Sequence, residues 1–143
     1  MNIRDVMTPN PRTVSPDDSI QSAAQIMRDE DTGAIPVVED GRPIGLVTDR
    51  DIVVRAVADG GEFDRPVREI ATTNIVAVTP DMSAREANDL MREHQIRRLP
   101  VVEGERLVGM VSLGDLAVKE SKETRMGETL ERVSEGVKEQ ERY

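Results

Sequence analysis

Residues Ile3–Val53 lie over Val67–Ala117 at a constant offset of 64, without a gap, and 18 of the 51 aligned pairs are identical. Chance does not give an ungapped match of that density, so the chain is a tandem duplication, and both copies must share one fold. The identities include Val14/Val78, Pro16/Pro80, Asp17/Asp81 and Met27/Met91. They are densest at Pro36-Val37-Val38-Glu39 over Pro100-Val101-Val102-Glu103, then continue through Arg42/Arg106, Gly45/Gly109, Val47/Val111 and Asp51/Asp115.

Each copy predicts the same order of elements. A short strand ends at Val14-Ser15-Pro16, and its counterpart at Val78-Thr79-Pro80. A helix follows, with Ile20, Ala23, Ala24 and Met27 on one stripe in the first copy and Ala84, Ala87, Leu90 and Met91 in the second. The prolines stand just ahead of these helices, where a missing N–H does no harm. Two apolar runs then flank Asp40-Gly41, a hairpin signal because a type I′ turn needs positive φ at both central residues. Gly104-Glu105 takes that place in the second copy and suggests a type II′ turn. Strand passes directly into helix at Thr48-Asp49-Arg50-Asp51 and at Ser112-Leu113-Gly114-Asp115.

One copy alone has a small sheet whose apolar face it cannot cover, and two copies facing each other can cover it. The expected fold class is therefore α+β: two pseudo-two-fold-related repeats, each a small β-sheet packed with helices. The expected boundaries are 1–59 for the first repeat, 60–66 for a Gly-Gly-containing linker, 67–118 for the second repeat and 119–143 for a charged tail, helical or disordered.

Composition removes several function classes. The net charge is −9 and the aromatic residues are Phe63 and Tyr143 alone, so there is neither the cationic face nor the stacking platform that nucleic-acid binding uses. With no cysteine there is no disulfide, thiol nucleophile or Cys-type zinc site. The charged N-terminus and the absence of a long apolar run point to a cytoplasmic protein without a membrane partner. No nucleophile elbow, Walker loop, dinucleotide fingerprint or His-Glu-x-x-His is present, so no enzyme is expected and no catalytic residue is assigned.

The chemistry concentrates at the two strand-to-helix junctions, Gly45-Leu46-Val47-Thr48-Asp49-Arg50-Asp51 and Gly109-Met110-Val111-Ser112-Leu113-Gly114-Asp115. Both fit Gly-x-x-(Ser/Thr)-x-x-Asp. A hydroxyl at a helix start lies beside free N–H groups and suits a phosphate oxygen. The aspartate, nearly one turn on, can accept both hydroxyls of a ribose. The same residues also make an ordinary helix cap, so the motif by itself leaves both roles open.

With its Val6-Met7-Thr8 opening, its apolar-Pro-Val-Val strand and this junction motif, the repeat resembles the cystathionine-β-synthase (CBS) domain, and the pair resembles a Bateman module. The second copy opens on Ile70-Ala71-Thr72 and lacks the middle methionine often found there. The resemblance covers about residues 3–117, and Thr48–Val53 is most similar to small stand-alone members, hypoxic-response proteins among them. It implies a regulatory nucleotide-sensing module that binds an adenosine-containing ligand between the repeats: AMP, ADP, ATP, NAD or S-adenosylmethionine, with or without Mg²⁺, and with no required cofactor. By motif position, Asp51 and Asp115 would hold riboses, and Thr48 and Ser112 would stand near phosphate. Thr13-Val14 and Ala77-Val78 would offer main-chain groups to an adenine edge, while Ile35-Pro36 and Leu99-Pro100 would form apolar walls. Arg97-Arg98 and Arg50 are the candidate phosphate cations; Gly33-Ala34 replaces the arginine pair in the first copy, so the two sites are expected to be unequal. Arg97 and Arg98 also suit the guarding of a strand edge by charge.

His94, the only histidine, fits a surface or helix-end role, and Asp17, Asp18, Asp49 and Asp51 form an acidic group that could collect Mg²⁺ or simply be solvated. The resemblance further implies a homodimer, with Ile52, Val53, Val57 and Leu116 as the expected contact. Output would pass to an effector protein of unknown identity or to the oligomer itself. The alternative is a scaffold that kept the fold and lost ligand binding.

Overall fold

The structure is a computed structural model and describes residues 1–124. The part of the charged tail beyond Thr124 lies outside the described residues.

Strand β1 is the short Thr8–Pro9. Helix α1 (Ile20–Glu30) begins where the Ser19 hydroxyl accepts the Ser22 N–H at 3.0 Å, and stops at Asp31, which takes a left-handed φ of 51°. It buries Ile20, Ala23 and Met27, the spacing of one helical stripe. Strands β2 (Ala34–Glu39) and β3 (Arg42–Thr48) form an antiparallel hairpin. Asp40 and Gly41 turn it with φ of 53° and 80°, the two positive values expected of a type I′ turn. Helix α2 (Asp49–Ile52) follows β3 without a break and widens into a π-helical turn over Val53–Val57.

The second copy repeats this order. Helix α3 (Ala84–His94) is capped by Ser83, which accepts the Glu86 N–H at 3.1 Å, and buries Ala84, Ala87 and Met91. Strands β4 (Arg98–Glu103) and β5 (Arg106–Ser112) turn at Gly104, with φ 65°, and run into helix α4 (Leu113–Thr124). The sheets are β2-β3 and β1-β5-β4. This is a mixed helix-and-sheet fold with small sheets, as the repeat pattern predicts.

Two local expectations need correction. The strands expected to end at Pro16 and Pro80 shrink to single parallel bridges, Val14 with Val37 and Val78 with Val101. The helices begin at the serine caps rather than beside the prolines, because the serine hydroxyl supplies the acceptor that a first-turn N–H needs.

The chain divides into two compact units that do not follow the two sequence copies. The first is Asn10–Val76 with Gly104–Leu107; the second is Met1–Pro9 with Ala77–Glu103 and the described residues from Val108 onward. Each unit thus contains the opening segment of the other copy. In the first unit a 3-10 turn over Val67–Glu69 docks by the Val67 N–H on the Asp18 carbonyl at 2.8 Å, with Val67 and Ile70 fully buried. The core there joins Val14, Ile20, Ala23, Ile35, Val37, Val47, Val67 and Ile70. Downstream, Thr72 exchanges hydrogen bonds with Leu46 at 2.8 and 2.9 Å. Gly45 allows this approach, since a Cβ there would stand 2.7 Å from the Thr72 carbonyl oxygen.

In the second unit the matching 3-10 turn, Ile3–Asp5, docks by the Ile3 N–H on the Met82 carbonyl at 2.8 Å. Thr8 and Pro9 then pair with Met110 and Gly109. Val78, Met91, Leu99, Val101 and Val111 are buried at positions matching core residues of the first copy. All these side chains are aliphatic or thioether; Phe63 is exposed.

Of the apolar residues expected to meet a second subunit, Val53 and Val57 are 58% and 50% exposed, but Leu116 is only 2% exposed and is unavailable for that role. Among the described residues no helix is long and apolar enough to cross a membrane.

Candidate functional site

In the first unit the hairpin register sets Thr48 opposite Ala34 and Val47 opposite Ile35, which brings the junction beside the Ile35-Pro36 wall. Ile35 and Pro36 are both buried. The Asp49 N–H closes the corner by donating to the Gly33 carbonyl at 2.9 Å. Val14 reaches the same strand: its N–H donates to the Pro36 carbonyl at 3.0 Å, and its carbonyl accepts the Val38 N–H at 2.8 Å. Both Val14 main-chain groups are therefore engaged within the protein, while Thr13 beside it is exposed.

Thr48 and Asp51 satisfy one another. The Thr48 hydroxyl accepts the Asp51 N–H at 3.0 Å, and Asp51 Oδ2 accepts the Thr48 N–H at 2.9 Å. This reciprocal cap fixes the carboxylate at the helix start, where the positive end of the helix favours it. Asp51 is the one buried charged residue among those described, 8% exposed.

The other oxygen of Asp51, Oδ1, faces Arg55 Nε at 3.9 Å, and Arg55 Nη1 donates to the Ile70 carbonyl at 3.2 Å. Sequence reasoning passed over Arg55, although its spacing of four residues from Asp51 is the one that lets helical side chains meet. Arg55 and Arg50 are both exposed, and the Arg50 main-chain N–H is taken by Asp49 Oδ1 at 2.9 Å.

The second unit assembles the matching set. Val78 donates its N–H to the Pro100 carbonyl at 3.0 Å and accepts the Val102 N–H at 2.8 Å, with exposed Ala77 beside it. Leu99 and Pro100 are buried. The Ser112 hydroxyl accepts the Asp115 N–H at 3.0 Å, and Asp115 Oδ2 accepts the Ser112 N–H at 3.3 Å. The Leu113 N–H donates to the Arg97 carbonyl at 2.7 Å, so Arg97 stands at the start of α4 where the first unit has Gly33. Arg97 and Arg98 are half-buried, and the Arg97 Nε is buried without a hydrogen-bond partner among the described residues. A buried donor of that kind is where an anion or a water is expected.

Among the described residues no three His, Asp or Glu side chains gather as a ligand set. Asp17 is paired with Arg68, Asp18 accepts the Ser15 N–H, and Asp49 and Asp51 are committed to α2 as above. His94 is exposed at the end of α3.

The family model described as CBS domain matches residues 3–57 and again 67–121. The CBS domain-containing protein YhcV of Bacillus subtilis is 46% identical over 133 residues, covering 93% of this chain and 95% of that protein. Hypoxic response protein 1 of Mycobacterium tuberculosis is 39% identical over 116 residues, 80% of this chain and 81% of its own length. The inosine-5'-monophosphate dehydrogenase of Korarchaeum cryptofilum is 35% identical over 83% of this chain, but that region is only 23% of the dehydrogenase.

Among solved structures, hypoxic response protein I with two coordinated zinc ions aligns at TM-score 0.76 and 37% identity, covering 82% of this chain and 98% of that one. The CBS domain pair of protein MJ0100, in complex with 5'-methylthioadenosine and S-adenosyl-L-methionine, aligns at TM-score 0.79 and 26% identity. It covers 86% of this chain and 98% of that one.

Proposed function

Since this chain belongs to the CBS-domain family, with one domain over residues 3–57 and another over 67–121, we propose that it is a cytoplasmic regulatory module that binds an adenosine-containing ligand and catalyses no reaction. The observation behind this is the arrangement found once in each unit: a carboxylate and a hydroxyl locked together at a helix start, beside a buried apolar-proline wall. In each unit the carboxylate accepts the ribose hydroxyls, Asp51 in one and Asp115 in the other. Ile35-Pro36 and Leu99-Pro100 flank the adenine, with the exposed residues Thr13 and Ala77 beside its edge. With no aromatic ring at these positions, aliphatic contact and hydrogen bonds hold the base.

Arg97 and Arg98 give the Asp115 site the cations that a phosphate prefers, and Arg97 brings an unsatisfied buried Nε. The Asp51 site has Gly33 and Ala34 at those positions, with Arg55 facing Asp51 and Arg50 exposed. A phosphorylated nucleotide therefore favours Asp115 over Asp51. The adenosyl compounds in the MJ0100 complex agree with this ligand class. The two zinc ions belong to the hypoxic response protein structure; among the described residues of this chain no three His, Asp or Glu side chains gather as a ligand set.

A second reading has one observation in its favour. Asp51 and Asp115 already complete caps without any ligand, as they would in a scaffold that kept the fold for protein contacts, a homodimer included. Titration calorimetry with AMP, ADP, ATP, NAD and S-adenosylmethionine, with and without Mg²⁺, separates the two. A sensor gives a saturable isotherm with at least one of them, and a scaffold gives none. A bound ligand is converted into output by preferring one arrangement of the protein over another, which an effector protein or the oligomer then reads.

A further inference from the structure

Asp51 is a buried carboxylate whose two oxygens are treated differently. Oδ2 accepts the Thr48 N–H at 2.9 Å, whereas Oδ1 has Arg55 Nε at 3.9 Å, close enough for charge attraction and too far for a hydrogen bond. Oδ1 thus retains its acceptor capacity for a ligand hydroxyl. The same guanidinium donates through Nη1 to the Ile70 carbonyl at 3.2 Å, fifteen residues along the chain. Ile70 ends the 3-10 turn Val67–Glu69, its N–H returning to the Val67 carbonyl at 3.0 Å. Two residues later Thr72 is tied to Leu46 of β3 by hydrogen bonds in both directions, over Gly45. The planar fork of Arg55 therefore spans the junction carboxylate and the segment imported from the second copy.

We infer that Arg55 couples occupancy of the Asp51 carboxylate to the Ile70–Thr72 segment, a regulatory role that rests on the ligand-binding function proposed above. When ribose hydroxyls take Oδ1, they share the charge that holds the guanidinium, and Arg55 loses one of its two anchors. The segment from Ile70 to Thr72 then opens more often, because its end is no longer pinned through the arginine. At the matching position in the second copy stands Lys119, a point charge without the planar fork, so the coupling is assigned to the first unit. Arg55 is a positioning residue here: it holds the segment directly at the Ile70 carbonyl, feels the ligand only through Asp51, and need not touch the ligand.

Amide hydrogen exchange of the full chain, read at Leu46 and Thr72 with AMP or S-adenosylmethionine as the added ligand, tests this. In the wild type, saturation is expected to speed Thr72 exchange by about threefold or more, an increase in local opening. In Arg55→Gln the ligand should still bind by calorimetry, but the Thr72 response should vanish. A second measurement needs no ligand. Asp51→Asn, which removes the charge, should speed Thr72 exchange in the wild-type background and not in Arg55→Gln. Equal ligand responses in wild type and Arg55→Gln, or an Asp51→Asn effect that ignores Arg55, would overturn the coupling. If neither compound binds the wild type, the ligand-binding function fails for these compounds, while the Asp51→Asn comparison still decides whether Arg55 links Asp51 to the segment.

Discussion

Arg4 and Asp81 form an ion pair at 2.9 Å, and the residues at matching positions of the two copies, Arg68 and Asp17, form another. Each pair joins the opening segment of one copy to the helix entry of the other, within a single compact unit. The duplication therefore shows itself as a reciprocal exchange of segments, and the same two side chains mark the exchange both times.

Those ion pairs are expected to mark the exchange rather than hold it. Arg4 and Asp81 are 53% and 81% exposed, and exposed pairs contribute about 0–1 kcal/mol. Ile3, beside Arg4, is fully buried. Arg4→Ala should leave the urea midpoint almost unchanged, while Ile3→Ala should cost about 2–5 kcal/mol. Equal effects from the two substitutions would show that the arm is held by charge.

Gly45→Ala is expected to destabilise the first unit. Its Cβ would meet the Thr72 carbonyl oxygen at 2.7 Å, a main-chain atom that cannot swing aside. Overpacking of this kind costs about 1–3 kcal/mol, a fall of several degrees in melting temperature. At Gly109 the nearest obstacle is the flexible Met7 Sδ at 2.6 Å, with the Thr8 carbonyl oxygen at 3.0 Å, so Gly109→Ala should cost less. Melting curves of the two variants give the order directly.

The serine caps carry a similar expectation. Ser19→Ala and Ser83→Ala each leave a first-turn N–H without its acceptor and should each cost about 1 kcal/mol. The sites lie in different units and share no partner, so the double variant should cost close to the sum. A neutral result at either site would mean that water replaces the hydroxyl there.

Much of this organisation was legible in the chain. The 64-residue offset revealed two copies, the Ile20–Met27 and Ala84–Met91 stripes marked their helices, and Asp40-Gly41 and Gly104 signalled hairpin turns whose φ values agree. The segment exchange was not legible. Ile3 and Val67 are interchangeable apolar residues, and a repeat pattern cannot say on which copy either one docks. Leu116 looked like Ile52 by alignment, yet it is buried where Ile52 is only half-buried, because burial depends on the surroundings and not on the residue's own pattern. At the candidate site, the Thr48–Asp51 and Ser112–Asp115 spacings located both caps. Arg55 escaped because its second partner, the Ile70 carbonyl, is a main-chain group distant in sequence.

The wall residues should discriminate binding from folding. Pro100 and Leu99 are both buried, but Leu99 is a fully enclosed core side chain. Leu99→Ala should cost about 2–5 kcal/mol whether or not ligand is present. Val53→Ser, at an exposed position, should stay within about 0.5 kcal/mol and leave nucleotide binding unchanged. Chemical denaturation with and without ligand separates the two effects.

The most direct test is the thermal shift of the wild type, Asp51→Ala, Asp115→Ala and the double variant against the adenosyl ligands. A ligand at about 100 times its Kd adds ~2.7 kcal/mol of stability, which is visible as several degrees. The prediction is a shift with at least one adenosyl ligand that Asp115→Ala reduces more for phosphorylated compounds and that the double variant abolishes, with all four proteins folded beforehand. No shift with any of them at millimolar concentration, or a shift that survives in the double variant, would contradict the assignment of Asp51 and Asp115 as the ribose-binding carboxylates.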